Sequence, residues 1–359
     1  MDNNKISHKI YDYLIANIKE NSFTTNYKLP SGNQLAEKFS SSRMCAQLAY
    51  ARLEKEKLII KKKGSGCYIN TEYVLQHSVK DLLETKIAVL GPSPLSKFIA
   101  EIYNTINDLF IKNGLTPSFY FATNTLTENK TLEMLAAKRF DAIIYYPQFS
   151  KSPGKTLTEL VNKQYPIVLI DRYYKGLNAY TVSSNHFASS YKIIEYFHNT
   201  GRKKILFISE PPIYTSIKHR FNGYKTALSH FPVLEAKSNY LLYDHATIGQ
   251  FEQTLSQYLS DREFDAIITS SGELANKVLY GAAKNNVKIG EDISLALYDE
   301  EVSFDNIINF PYIKLIQNTA AIGETASKII IDLLKHKPVT ERDFKISTIL
   351  KEVNNSFRQ

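Results

Sequence analysis

The chain has 359 residues, with 44 Lys/Arg against 36 Asp/Glu, a formal net charge of +8, and two cysteines. That length is too great for one ordinary domain, so two or three are expected, and two cysteines exclude a disulfide framework while suiting a reducing cytoplasm. No apolar run reads as a signal peptide or is long enough to span a bilayer, so no membrane partner is expected.

The charge is unevenly placed. In residues 1–70 twelve Lys/Arg face six Asp/Glu, a surplus of +6 in the first fifth of the chain. A polyanionic partner for that segment is the economical explanation, against the plainer one of a solvated basic face. Residues 6–20 place Ile10/Tyr11, Leu14/Ile15 and Ile18 on one face of an amphipathic helix. Ser31 then precedes Leu35 and Phe39 and suits the N-cap of a second helix. Ser40, Ser41 and Ser42 break it, and Ser42 can cap a third, whose apolar positions Cys45, Leu48, Ala49 and Leu53 recur at the helical period. Leu58–Ile60 and Cys67–Ile69 read as a hairpin turning at Gly64-Ser65-Gly66. Three helices and a basic hairpin make a winged helix-turn-helix over residues 1–70. Cys45, on the third helix, and Cys67, on the wing, read as two small buried residues rather than a redox pair.

Residues 71–85 read as a short helix or an extended linker. From Lys86 to residue 359 apolar runs alternate with helix-length amphipathic segments. Strands are expected at Ile87–Gly91, Ser118–Phe121, Ala142–Tyr146, Ile167–Asp171, Ile205–Ser209, Ala266–Ser270 and Ser294–Asp299. Helices are expected near 96–113, 127–138, 155–163, 186–200, 218–230, 248–260 and 273–285. Such alternation predicts doubly wound parallel α/β sheets. An internal echo divides this region: Phe140-Asp141-Ala142-Ile143-Ile144 returns as Phe264-Asp265-Ala266-Ile267-Ile268, and Lys86-Ile87 returns as Lys204-Ile205. Two successive lobes, each with its own sheet, would leave a ligand cleft beyond the carboxyl ends of their strands.

The order K-L-P-S, L-A-x-x-F, S-R, L-x-x-E-x-L-I and G-x-G across residues 5–70 resembles the N-terminal domain of GntR-type bacterial transcription regulators. Residues 86–357 resemble the effector domain of LacI-type repressors, through PIVLIDR (166–172), TGRKKILFIS (200–209), HRFNGYKTAL (219–228), EDISLALYD (291–299) and KLIQNTAAIGETASKIIIDLL (314–334). The fold implied is a winged helix-turn-helix (α+β) joined to a two-lobed α/β domain like that of periplasmic binding proteins. The head departs from its family where Gly32 replaces a glutamate, Cys45 a phosphate-binding hydroxyl and Gln47 a groove arginine. The resemblance implies that Arg43 grips phosphate and that Ser31, Cys45, Ser65 and Gly66 line the DNA. Gln47 suits adenine where arginine would prefer guanine, and Lys61, Lys62 and Lys63 supply phosphate charge.

By the second resemblance Asp171, Arg220, Asp299 and Gln317 point into the cleft. Each keeps a plainer alternative: a local Asp171–Arg172 ion pair, a turn cap at Asp299, a hinge hydrogen bond at Gln317, a structural role for Arg220. Ser271-Gly272 stands where the family has Asn-Asp, and Asn185-His186 where it has Asp-Asn. Tyr146, with Tyr145, Tyr173, Tyr174 and Tyr214, could wall the site. The expected protein is a cytoplasmic homodimer that binds double-stranded operator DNA, a repressor released by a sugar or sugar derivative. Neither metal-ligand spacing nor a catalytic motif is found, so no metal, cofactor or enzymatic activity is expected. Two alternatives stay open: a solute-binding protein with no DNA role, and a DNA-binding regulator whose cleft is degenerate.

Overall fold

The computed structural model describes residues 3–21, 26–76, 85–138, 140–231, 239–298 and 310–353. The chain forms two compact units, Met1–Thr85 and Lys86–Gln359.

In the first unit α1 (Asn3–Asn21), α2 (Gly32–Lys38) and α3 (Arg43–Lys55) precede β1 (Ile59–Lys62), β2 (Gly66–Ile69) and α4 (Thr71–Gln76). Ser31 caps α2 in a reciprocal box: its Oγ accepts from the Gln34 amide at 3.3 Å, and Gln34 Oε1 accepts from the Ser31 amide at 2.7 Å. Ser42 occupies the N-cap of α3 without a capping bond; its Oγ lies 3.5 Å from Cys45 Sγ. The wing is antiparallel, with Lys62 opposite Gly66, and its turn takes positive φ at Gly64 (74°) and Gly66 (122°), where a side chain would be strained. Ile10, Leu14, Ile18, Leu35, Cys45, Leu53, Leu58 and Ile69 form the core. Val74 of α4 joins them, so the helical part of the expected linker packs with the head. The buried face of α3 is Cys45, Ala46, Ala49, Tyr50 and Leu53; Leu48, expected inside, is exposed. Apolar spacing alone could not choose between the two faces, because Tyr50 buries its ring as readily as Leu48 would.

The second unit continues with β3 (Ile87–Gly91), α5 (Lys97–Lys112), β4 (Pro117–Phe121), α6 (Thr125–Ala137), β5 (Ala142–Tyr145), α7 (Lys155–Asn162), β6 (Ile167–Ile170) and β7 (Tyr180–Ser184). It crosses to α8 (His186–Asn199), β8 (Ile205–Ser209), α9 (Thr215–His230), β9 (Asn239–Leu242), α10 (Ile248–Ser260), β10 (Ala266–Thr269), α11 (Gly272–Lys284), β11 (Ser294–Tyr298) and β12 (Tyr312–Ile316). It ends with α12 (Thr319–Leu334), β13 (Asp343–Ile346) and β14 (Ile349–Val353). Lobe 1 is a parallel sheet in the order β13-β7-β6-β5-β3-β4; lobe 2 has the order β14-β12-β11-β10-β8-β9, parallel except for β14 against β12.

The sequence echo has a physical meaning. Asp141 accepts from the Lys86 amide at 2.8 Å, and Asp265 accepts from the Lys203 and Lys204 amides, each at 2.9 Å. The repeated Phe-Asp-Ala thus ties off the start of the neighbouring strand in each sheet. The lobes are not successive, however. α12 and β13 return to lobe 1, where Ile322, Ala326, Ile329 and Ile330 share a core with Ile87, Ile102, Phe110, Ile144 and Val168. Among the described residues the chain therefore crosses between lobes three times, at Asn185, at residues 317–318 and at residues 347–348.

Candidate functional sites

On the head, the outward stripe of α3 presents Arg43, Met44, Gln47, Leu48 and Ala51, all exposed. Ser31, Lys61, Lys62, Lys63, Ser65 and Gly66 are exposed as well. Lys61 pairs with Glu54 of α3, and Lys62 donates to Asn26 at 3.2 Å and lies 4.6 Å from the Tyr68 ring centroid. Such exposed pairs are worth little and are readily exchanged for phosphate. Cys45 corrects the expectation: it is fully buried on the core face of α3, so its thiol is not available to a phosphate.

In the second unit the chain just after β6 and the first residue of α8 meet a side chain of α9. Asp171 takes a left-handed φ of 60°, which aspartate tolerates better than branched residues. Its buried carboxylate accepts from Tyr146 Oη at 2.9 Å and lies 3.4 Å from His186 Nε2. Arg220 Nε donates to His186 Nδ1 at 3.2 Å, and its Nη1 donates to the Ser270 carbonyl. A guanidinium cannot accept, so Nδ1 is the unprotonated ring nitrogen and Nε2 carries the proton towards Asp171. A polar relay thus runs from Asp171 in lobe 1 through His186 to Arg220 in lobe 2. Arg220 is 3% exposed, and its guanidinium lies 4.3 Å from the Tyr298 ring centroid.

Burial alone would raise the pKa of Asp171, but the His186 hydrogen bond and the nearby positive charges, including Arg172 and Arg220, hold it well below the ordinary carboxylate range. The stabilisation this gives is complete above the unfolded-state aspartate value of about 3.9 and is lost as pH falls from there through the depressed folded-state value. Acid thermal melts of the wild type should therefore steepen below about pH 4, and Asp171→Asn, less stable at neutral pH, should show a flatter acid limb. Parallel acid limbs would remove Asp171 from the account.

Around the relay, Arg172 Nη1 donates to the Gln148 carbonyl at 2.9 Å, and the guanidinium lies 4.2 Å from the Tyr214 ring centroid. Arg172 Nε and Gln148 Oε1 are buried without a hydrogen-bond partner among the described residues. Tyr173 Oη lies 2.7 Å from His219 Nε2, and the Tyr173 amide donates to Thr215 Oγ1 at 3.0 Å. Ser271 Oγ donates to Glu210 at 2.9 Å, and Ser270 Oγ donates to the same carboxylate. The carboxylate missing from the Ser271-Gly272 position is thus brought by Glu210, from the loop after β8. Gln317 accepts from Ser184 Oγ at 2.6 Å, a bond between two interlobe crossings. Asp299 lies outside the described residues. Sequence reasoning missed Glu210, Gln148 and the linking role of His186; the last had one signal, the loss of Asp-Asn at 185–186.

A wing-bearing helix-turn-helix with a basic outer face, carried on the same chain as a two-lobed domain with a polar cleft, defines a DNA-binding transcription regulator. Residues 87–338 match the model of the periplasmic binding protein domain, and the chain belongs to that family. Residues 6–69 match the gntR family of bacterial regulatory proteins, so the GntR name describes the head alone and the whole is a LacI-like regulator. Among curated relatives, the arabinose metabolism transcriptional repressor of Halalkalibacterium halodurans is 22% identical over 86% of this chain and 84% of its own length. The NTD biosynthesis operon regulator NtdR of Bacillus subtilis is 24% identical over 87% of this chain and 94% of its own. A LacI family transcriptional regulator from Enterococcus faecium, solved with bound ribose, superposes with a TM-score of 0.60 at 19% identity, covering 75% of this chain and 98% of its own. These relatives are named as regulators, not enzymes.

Proposed function

We propose that the protein is a cytoplasmic, homodimeric repressor, without enzymatic activity, whose operator affinity is set by a sugar or sugar derivative held between the two lobes. The observation that carries this reading is the Asp171–His186–Arg220 relay, which joins the lobes through the groups a polyhydroxylated ligand would engage. Tyr146, Ser271 and Gln317 lie around the same cleft, and Arg43, Gln47, Lys61, Lys62, Lys63, Ser31, Ser65 and Gly66 are the DNA contacts. The functional division runs at 1–70, 71–85 and 86–359. Ligand and operator must prefer different lobe arrangements, by about 1–3 kcal/mol, for one to release the other. The names of the relatives, an arabinose repressor among them, support the ligand class.

The test is a thermal-shift screen of the full chain against free and phosphorylated sugars, followed by operator titration with each hit. One sugar should both raise the melting temperature and change operator affinity. A screen in which no sugar does so favours the degenerate cleft, a reading that has its own support: Asp171, Arg220, Ser271 and Gln317 already find partners within the chain. For the head, Arg43→Ala should weaken operator binding across sequences and reduce the salt slope by about one. An unchanged slope, measured by fluorescence anisotropy at graded salt, would deny Arg43 a phosphate contact.

A further inference from the structure

We infer that Met44 and Leu48 read thymine methyl groups, and that with Gln47 they make the operator half-site A·T at the base pairs under the first two turns of α3. The inference rests on the head being the DNA-reading module and is independent of any ligand in the cleft.

Met44 is 57% exposed and Leu48 45% exposed, although both are large apolar side chains on a helix whose opposite face is fully used by the head's core. Residues 43, 44, 47, 48 and 51 fall on one stripe at the helical period, and all of them but Ala51 lie in the amino-terminal half of α3. In a helix-turn-helix that half of the second helix enters the major groove deepest. The floor of the groove is lined with hydrogen-bond donors and acceptors, and the thymine C5-methyl is its apolar feature. Two apolar side chains there gain from a methyl and lose from a donor or acceptor left without a partner. Gln47 lies between them, and its amide matches the N6/N7 edge of adenine. Adenine and its paired thymine show that edge and that methyl in the same groove, so each of the three side chains favours an A·T pair at the position beneath it. Arg43 at one end of the stripe and the lysines of the wing carry the phosphate charge, which leaves the middle of the stripe to the bases.

The experiment is selection of binding sites from a random duplex library with the full chain, followed by titration of the selected site. The enriched half-site should hold thymines at the positions under Met44 and Leu48. Replacing each such thymine by deoxyuridine removes only the methyl and should cost the wild type about fourfold in affinity, the factor expected for one buried methyl. Met44→Ala and Leu48→Ala should each lose that penalty at one thymine and keep it at the other. Both residues are exposed, so the variants should fold as the wild type does. Enrichment of G·C at these positions would overturn the inference, as would wild-type affinity indifferent to deoxyuridine. A library that yields no enriched sequence would overturn DNA reading by the head, and this inference with it.

Discussion

Replacing Arg220 by alanine should lower the stability of the second unit by about 3 kcal/mol and abolish its response to any cleft ligand. The guanidinium donates to His186 and to the Ser270 carbonyl and lies over the Tyr298 ring, all away from water. Alanine leaves the His186 Nδ1 and the Ser270 carbonyl without this donor, takes positive charge from beside the buried Asp171, and opens a void the size of the lost side chain. Lysine does not rescue it, because one ammonium cannot reproduce the planar fork that serves two acceptors. Methionine fills the volume without the donors and should fall between alanine and the wild type. Urea titration followed by tyrosine fluorescence reads the loss, and operator titration well below the transition tests whether the head still binds. An Arg220→Ala protein as stable as its parent would show that this guanidinium is not holding the relay together.

Glu128→Ala should cost a similar amount, about 3 kcal/mol, from a position with no part in ligand contact. Glu128 is wholly buried on α6 and holds the loop after β5: one carboxylate oxygen accepts from the Gln148 amide at 2.9 Å, the other from the Ser150 amide at 2.9 Å and Ser150 Oγ at 2.7 Å. That loop presents the Gln148 carbonyl to Arg172 and the Phe149 carbonyl to Tyr214 across the cleft. Alanine releases the loop and with it Arg172, whereas glutamine can still accept on one side and should lose about half as much. Hydrogen exchange at the amides of residues 148–150 should accelerate in Glu128→Ala far more than at β5. Equal protection in both proteins would mean that the loop is held by something else.

These residues also show where a sequence stops being informative. The winged head and the central strands were legible because each is a local pattern: a capping serine, a helical period, an apolar run between turns. The Phe-Asp-Ala echo was legible because the same backbone tie is made twice. β7, β9, β12, β13 and β14 were missed, three of them for an equally physical reason. Tyr180–Ser184 is half polar and yet buried inside a sheet, and Asp343–Ile346 and Ile349–Val353 lie at sheet edges with most of their residues exposed or half-buried. By spacing alone Cys45 and Leu48 both belong to the core, and only the angle at which α3 packs decides between them. Glu128 gives no local sign at all, because its partners come from a loop about twenty residues away. For the cleft, Asp171, Arg220 and Gln317 were found through resemblance. The histidine that links the first two lies 15 residues from one and 34 from the other, and no spacing rule reaches that far.

The return of α12 and β13 to lobe 1 bears on how the protein is made. On the ribosome, strands β3 to β7 emerge early but lack the helix that covers one face and the strand that closes one edge. Until residue 330 is translated, Ile87, Ile102, Ile144 and Val168 have no Ile322, Ile329 or Ile330 to meet, and until residue 346 β7 has no β13 beside it. The head can complete itself from its first 76 residues, whereas lobe 1 must wait for nearly the whole polypeptide with greasy surface uncovered. A message cut short well after residue 76 but before residue 346 yields a finished reading head tethered to a sticky, half-built lobe, the kind of product that chaperones and proteases clear first.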